Sequence, residues 1–283
     1  MIDTEGLSIY DYCHKRLFNY IKLKGYSEQN TYIPYRANLN LVLQRFPDPE
    51  KAGLLQIQEF AASFKNDNTR KNMCVMIRWL FNQVFNRNIA WQELPYPKKK
   101  KKVQPIYAEE DILRVLAHVE NKKQKAMLAL IMDWGLRISE PCAIFISDCN
   151  SKERRIILRS AKGDNDRIIF PSEFVWSLIK QYWNDLHEKP QKYLFEGQVR
   201  GNAYTTESIR AFFKAACKRA GVKYVGIHAI RRFAGSWKVE HGVPETVVAD
   251  TLGNTVKTLH NHYLIHSPTY LKNTKSPLSQ LPA

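Results

Sequence analysis

Arg137, Lys162, His228, Arg231 and Tyr263 are side chains whose types and order could do chemistry together. Arg137 stands in the run Gly135-Leu136-Arg137-Ile138-Ser139-Glu140, and Arg231 closes the run His228-Ala229-Ile230-Arg231. Tyr263 lies ten residues after the glycine of Leu252-Gly253. Guanidiniums stay protonated throughout, and each offers paired N–H donors in a planar fork that a lysine cannot reproduce. A phosphodiester attacked without a metal needs such donors, because its non-bridging oxygens gain charge at the pentacoordinate stage. A phenol, with an ordinary pKa of about 10, is a poor nucleophile at neutral pH. Nearby guanidinium charge favours its phenolate, and His228 can accept the proton. Singly, each residue has an ordinary role: Arg137 as a helix-terminal partner of Glu140, Lys162 as a solvated turn lysine, His228 as a cap, Arg231 as a surface cation and Tyr263 as one of fourteen tyrosines. As an ordered set they require a separate coincidence for each spacing.

The segments that must position them are mostly helical. From Tyr107 onward, helical spacing or helix-end residues mark Asp111–Glu120, Lys122–Trp134, Ile138–Ile146, Glu173–Leu186, Glu207–Ala220, His228–Glu240 and Pro244–Leu252, with a short last helix at Thr258–Ile265. The β-rich runs Arg155–Arg159 and Asp166–Phe170 enclose Lys162-Gly163-Asp164-Asn165 as a hairpin. Before them, residues 1–95 predict a small helical domain. Tyr10, Cys13, Leu17, Phe18 and Ile21 share a helical face that stops near Gly25. Ser27 can cap a helix running to Phe46 that Pro34 should break or bend, and Leu54–Phe64 and Asn72–Phe85 follow. Residues 96–105, with Pro97, Lys98, Lys99, Lys100, Lys101, Lys102 and Pro105, predict an extended linker whose ammonium groups suit a phosphate backbone. A plain solvated linker is the other account of that run.

The chain has 283 residues and a formal charge of +16, and each side of position 105 carries an excess of eight positive charges. A polyanion held by two lobes fits charge so distributed. Five scattered cysteines without a C-x-x-C pair argue against a disulfide framework or a zinc knuckle. His260 and His262 lack a Cys or acidic partner at ligand spacing, so no metal ligand is expected. The apolar run Met127–Trp134 is too short to cross a bilayer, and Met1–Asp11 has no apolar block, so no membrane partner and a cytoplasmic location are expected.

In their order, the four segments resemble the signature of the tyrosine recombinase (integrase) family, in its simple two-domain, Xer-like form. G-L-R-[IV]-S-E is the most specific piece, and Lys162-Gly163-Asp164-Asn165-Asp166-Arg167 matches the K-G-x-x-x-R hairpin. The resemblance implies a mainly α protein with a small β-sheet. A helical core-binding domain (1–95) and a mixed α/β catalytic domain (106–283) would form a clamp around double-stranded DNA. It implies site-specific cutting and rejoining through a 3′-phosphotyrosine on Tyr263, with neither metal nor nucleotide cofactor. By the same resemblance Lys162 is the acid for the leaving 5′ hydroxyl and Glu140 supports the arginines. Four protomers would act on two DNA sites through a Holliday junction, with accessory DNA-bending or directionality factors as further partners. The tail His266–Ala283 would dock on a neighbouring protomer or stay disordered. Two positions depart from the pattern: Asn254 where the family has His or Trp, and Arg232 where it often has His. Asn254 can still donate a hydrogen bond to a phosphate oxygen; Arg232 adds charge aimed at phosphate or at a structural acid. A type IB topoisomerase, a non-catalytic DNA-binding relative and an RNA-binding scaffold are the competing accounts.

Overall fold

The computed structural model describes residues 4–26, 28–98, 104–159 and 166–262, with the backbone alone at 29, 30, 261 and 262. The chain divides into two compact units, 1–102 and 103–283, and each has a hydrophobic core of its own.

In the first unit, α1 (Ile9–Leu23) begins where the Ser8 side chain accepts the Asp11 N–H, and it buries Cys13, Leu17 and Ile21 at four-residue spacing. A π-helical turn, Glu28–Tyr32, leads into α2 (Ile33–Arg45). Pro34 does not break this helix. It sits in the first turn of α2, directly after the π-helical turn, so the chain changes its helical winding just before the proline. The proposed cap, Ser27, lies outside the described residues. After α3 (Leu54–Ala62), Asn66 caps α4 (Asp67–Arg78), which starts five residues before the expected Asn72 and passes into a π-helical stretch at Trp79–Val84. Arg78 holds the chain beyond it. Its guanidinium lies 3.6 Å from the Trp91 ring centroid and 4.8 Å from that of Tyr96, and it donates to the Leu94 carbonyl.

The second unit contains α5 (Glu109–Ala117), α6 (Lys122–Trp134), α7 (Glu173–Asn184), α8 (Thr206–Arg219), α9 (His228–Glu240), α10 (Glu245–Leu252) and α11 (Val256–His262). Six consecutive residues of α6, Ala126–Ile131, are buried, which marks it as the central helix; α5, α7, α8 and α9 pack on it. A three-stranded antiparallel sheet of β1 (Cys149–Asn150), β2 (Arg155–Leu158) and β3 (Arg167–Ile169) pairs Ile156 with Ile169 and Leu158 with Arg167. The expected hairpin is thus extended by β1, two residues too short to leave a pattern in the sequence. Beside it, the buried Asp148 carboxylate takes two bonds from Arg159, at 2.8 and 2.6 Å.

The helix expected over Ile138–Ile146 is absent. Pro141 has no N–H to continue the ladder, so Glu140 closes a tighter turn onto the Arg137 carbonyl, at 2.9 Å. Two 3₁₀ turns follow, Pro141–Ala143 and Ile146–Asp148, with Phe145 bridged to Tyr193 between them.

Gly135 ends α6 with φ of 61°, and a Cβ there would lie 2.6 Å from Leu252 Cδ2 and 3.2 Å from Ala234 Cβ. Gly135→Ala combines a left-handed penalty with overpacking, roughly 3 kcal/mol together. Thermal unfolding of the full chain should show the second unit melting roughly 10 °C lower than wild type.

Candidate active site

The site is built around the last turn of α10. A helix leaves its final carbonyls without intrahelical donors. Here the Gly253 N–H takes the Asp250 carbonyl and the Asn254 N–H takes that of Ala249, both at 2.9 Å. This closing pattern needs the left-handed φ of 59° that Gly253 supplies. The next three carbonyls each receive a guanidinium from a different part of the unit. Arg167 Nε donates to Thr251 at 3.1 Å, Arg231 Nη2 to Leu252, and Arg137 Nη2 to Gly253 at 2.9 Å. Positive charge is favourable at this negative end of the helix dipole.

Glu140 joins two of the three arginines. Its Oε1 accepts Arg137 Nη1 at 3.0 Å, while its Oε2 accepts Arg167 Nη2 at 2.8 Å and the Arg137 backbone N–H at 2.6 Å. The carboxylate is 12% exposed, whereas the Arg137 side chain is 41% exposed, so Arg137 is the cation of this pair that solvent reaches. Arg137 Nη2 also donates to Asn254 Oδ1 at 3.2 Å. That bond fixes the amide orientation, because only its oxygen can accept. Asn254 Nδ2 is then left buried with no acceptor among the described residues. Three guanidiniums against one carboxylate leave the turn strongly positive.

Arg231 is not the surface cation that its residue type alone suggests. It is fully buried, with Nη1 on the Gly135 carbonyl at 2.6 Å and Nη2 on that of Leu252. These bonds use two of its five N–H donors. His228, the first residue of α9, is exposed on a cleft of about 320 Å³ lined by Leu136, Ile138, Tyr224 and Arg210. The cleft therefore includes the residues on either side of Arg137. Arg232, which follows Arg231 on α9, donates through Nε to the Pro105 carbonyl at 3.0 Å. Lys98 is exposed. Lys162, Tyr263 and Lys99 to Lys102 lie outside the described residues.

Two cations at the site were not singled out from sequence. Arg167 is the last residue of the K-G-x-x-x-R run, and its pairing on β3 turns it to the same side as the buried Ile169, which the motif alone does not say. Arg210, bonded to Glu207 at 3.1 Å, had no motif to mark it. His260 pairs with Glu245 at 2.7 Å. Among the described residues no three His, Cys, Asp or Glu side chains come together as a metal site, and no helix is long and apolar enough to cross a membrane.

The model of the phage integrase family matches residues 106–269, more than half of the chain. The chain belongs to this family. It is a tyrosine-type site-specific DNA recombinase. A putative integrase/recombinase of Sinorhizobium fredii, y4qK, is 25% identical over 261 residues, covering 89% of this chain and 84% of the relative. The tyrosine recombinase XerA of Pyrococcus horikoshii is 25% identical over 164 residues, covering 58% of this chain and 57% of the relative. Among solved structures, a lambda integrase tetramer bound to a Holliday junction matches with a TM-score of 0.70 over 89% of this chain and 77% of that one. At 14% identity that likeness is one of fold.

In this integrase-family chain, Gly253 is held between two arginines. A Cβ there would lie 3.2 Å from Arg167 Nη1 and 3.5 Å from Arg137 Nη1. Gly253→Ala should cost about 1 kcal/mol in stability, a melting-temperature loss of only a few degrees. DNA strand cleavage should fall much further, because the methyl displaces the guanidiniums; unchanged cleavage in a strand-scission assay would contradict this geometry.

Proposed function

We propose that this recombinase cuts double-stranded DNA with Tyr263, using Arg137 as the principal receptor for the scissile phosphate. The observation that carries it is the half-exposed Arg137 guanidinium, held by Glu140, the Gly253 carbonyl and Asn254 before any substrate arrives. Preorganised donors need no reorientation when charge develops on the phosphoryl oxygens. Arg231 adds charge from beneath, and Glu140 keeps the cations aligned. His228 accepts the phenol proton, Lys162 protonates the departing 5′ oxygen, and Tyr263 keeps the 3′ phosphate as an ester until the strand is rejoined. No metal or nucleotide enters this scheme. Residues 1–95 and 106–283 grip the duplex as two lobes, with Lys98 to Lys102 along the backbone. Four copies exchange strands between two sites through a Holliday junction.

Asn254 fits this scheme as a donor. Its Nδ2 wants an acceptor, and a non-bridging phosphate oxygen is a suitable one. A neutral imidazole can accept from Arg137 on one nitrogen and donate with the other, so Asn254→His should keep or raise cleavage. Asn254→Asp retains the acceptor, loses the donor and adds negative charge. It should slow cleavage roughly a hundredfold, the usual effect of losing one well-placed donor. Loss of activity in Asn254→His would mean that the amide has a role of its own.

The direct test is covalent trapping. Duplexes selected by binding from a random pool are nicked so that a cleaved fragment diffuses away, and an SDS-resistant protein–DNA adduct is sought with EDTA present. The adduct should form in wild type and be absent in Tyr263→Phe. Tight binding without an adduct on good sites would point to a DNA-binding relative that does not cut.

A further inference from the structure

The geometry points to Arg167 as a positioning residue for strand cleavage, one that holds Arg137 toward the phosphate through their shared partner Glu140. This rests on the reading of Arg137 as the phosphate receptor. Arg167 opens β3, pairs with Leu158 and keeps only 16% of its side chain exposed. From there it reaches two other segments: Nη2 to Glu140 Oε2 at 2.8 Å and Nε to the Thr251 carbonyl at 3.1 Å. The β-sheet, the 137–140 turn and the end of α10 are thereby tied at one guanidinium.

The consequence for Arg137 follows from how Glu140 is shared. A carboxylate that held Arg137 alone would be free to follow that half-exposed side chain as it moved. With Oε2 held from behind by Arg167 and by the Arg137 backbone N–H, the carboxylate plane is set, and Oε1 becomes a fixed anchor for Arg137 Nη1. The two guanidiniums also meet at Gly253: the position of its missing Cβ is 3.2 Å from one and 3.5 Å from the other. Their mutual repulsion is offset by the single acid between them, and the more exposed one retains its charge for a ligand. Two acceptors in different directions explain why an arginine stands here. A lysine ammonium can keep Glu140 but lacks the fork that serves Thr251 as well.

The test compares two linkages at the cleavage position mapped by trapping: the natural phosphodiester and a methylphosphonate, in which a neutral methyl replaces one charged oxygen. Single-turnover cleavage, DNA affinity and melting temperature are measured for full-length wild type, Arg167→Ala, Arg167→Lys, Arg137→Ala and the double alanine variant. If Arg167 works by aiming Arg137, Arg167→Ala slows phosphodiester cleavage about a hundredfold, the size expected from a misplacement near 1 Å, and slows methylphosphonate cleavage far less. DNA affinity stays nearly constant, Arg167→Lys shows a smaller loss with the same preference, and the double variant is no slower than Arg137→Ala. Equal losses on both linkages with a lowered melting temperature would make Arg167 only a brace of the fold, overturning the proposal. Additive losses in the double variant would overturn it too, since the two arginines would then act separately. Should Arg167→Ala not fold, the linkage preference of Arg167→Lys decides in the same way. An Arg137→Ala variant with no preference for linkage would instead remove the phosphate-receptor reading, and the positioning role with it.

Discussion

The end of α10 holds the second unit together. Three consecutive carbonyls, from Thr251 to Gly253, accept Arg167, Arg231 and Arg137 in turn. Each arginine comes from a different segment: the sheet, α9 and the turn after α6. Arg231 is the most demanding of the three, because a fully buried cation is costly unless its donors are met. It is met at Gly135 and Leu252, the C-terminal ends of α6 and α10, so two helix dipoles converge on one guanidinium. Gly135 makes that convergence possible, since any side chain there would push Leu252 away.

This arrangement fixes the charge of the site before DNA arrives. Carbonyls that would otherwise need water instead orient the donors, and Glu140 offsets the repulsion between Arg137 and Arg167 without covering Arg137. Stability and chemistry are therefore hard to separate at these positions. The bonds that terminate α10 are also the bonds that aim the guanidiniums. Gly253 expresses both needs in one residue: its left-handed backbone closes the helix, and its missing Cβ leaves room for two arginines.

Much of this was legible in the sequence, and the parts that were not have a common cause. Helical periodicity located α6 and α9 to the residue, because long amphipathic or buried segments carry their own signal. The ordered motifs pointed to Arg137, Glu140 and Arg231 as one constellation, and the structure brings all three to the turn around Gly253 or its flanks. The burial of Arg231 was not legible, since its partners lie 96 and 21 residues away in the chain. Neither was the second duty of Glu140 toward Arg167, which depends on strand register. The missing helix after Ile138 shows the opposite failure. Spacing takes no account of Pro141, whose missing N–H decides the local structure.

The two departures from the family pattern are physically unequal. Arg232 follows Arg231 on α9, and neighbouring helical residues point about 100° apart. Its Nε is accordingly turned to the Pro105 carbonyl. Asn254 lies at the centre of that cluster, bonded to Arg137 and one residue past the carbonyl that Arg137 also holds. An amide there offers an acceptor to the guanidinium and a donor to a ligand at the same time, and it carries no charge of its own. The departure at 254 thus falls within the Arg137 hydrogen-bond network, whereas the Nε bond of Arg232 is to the start of the unit.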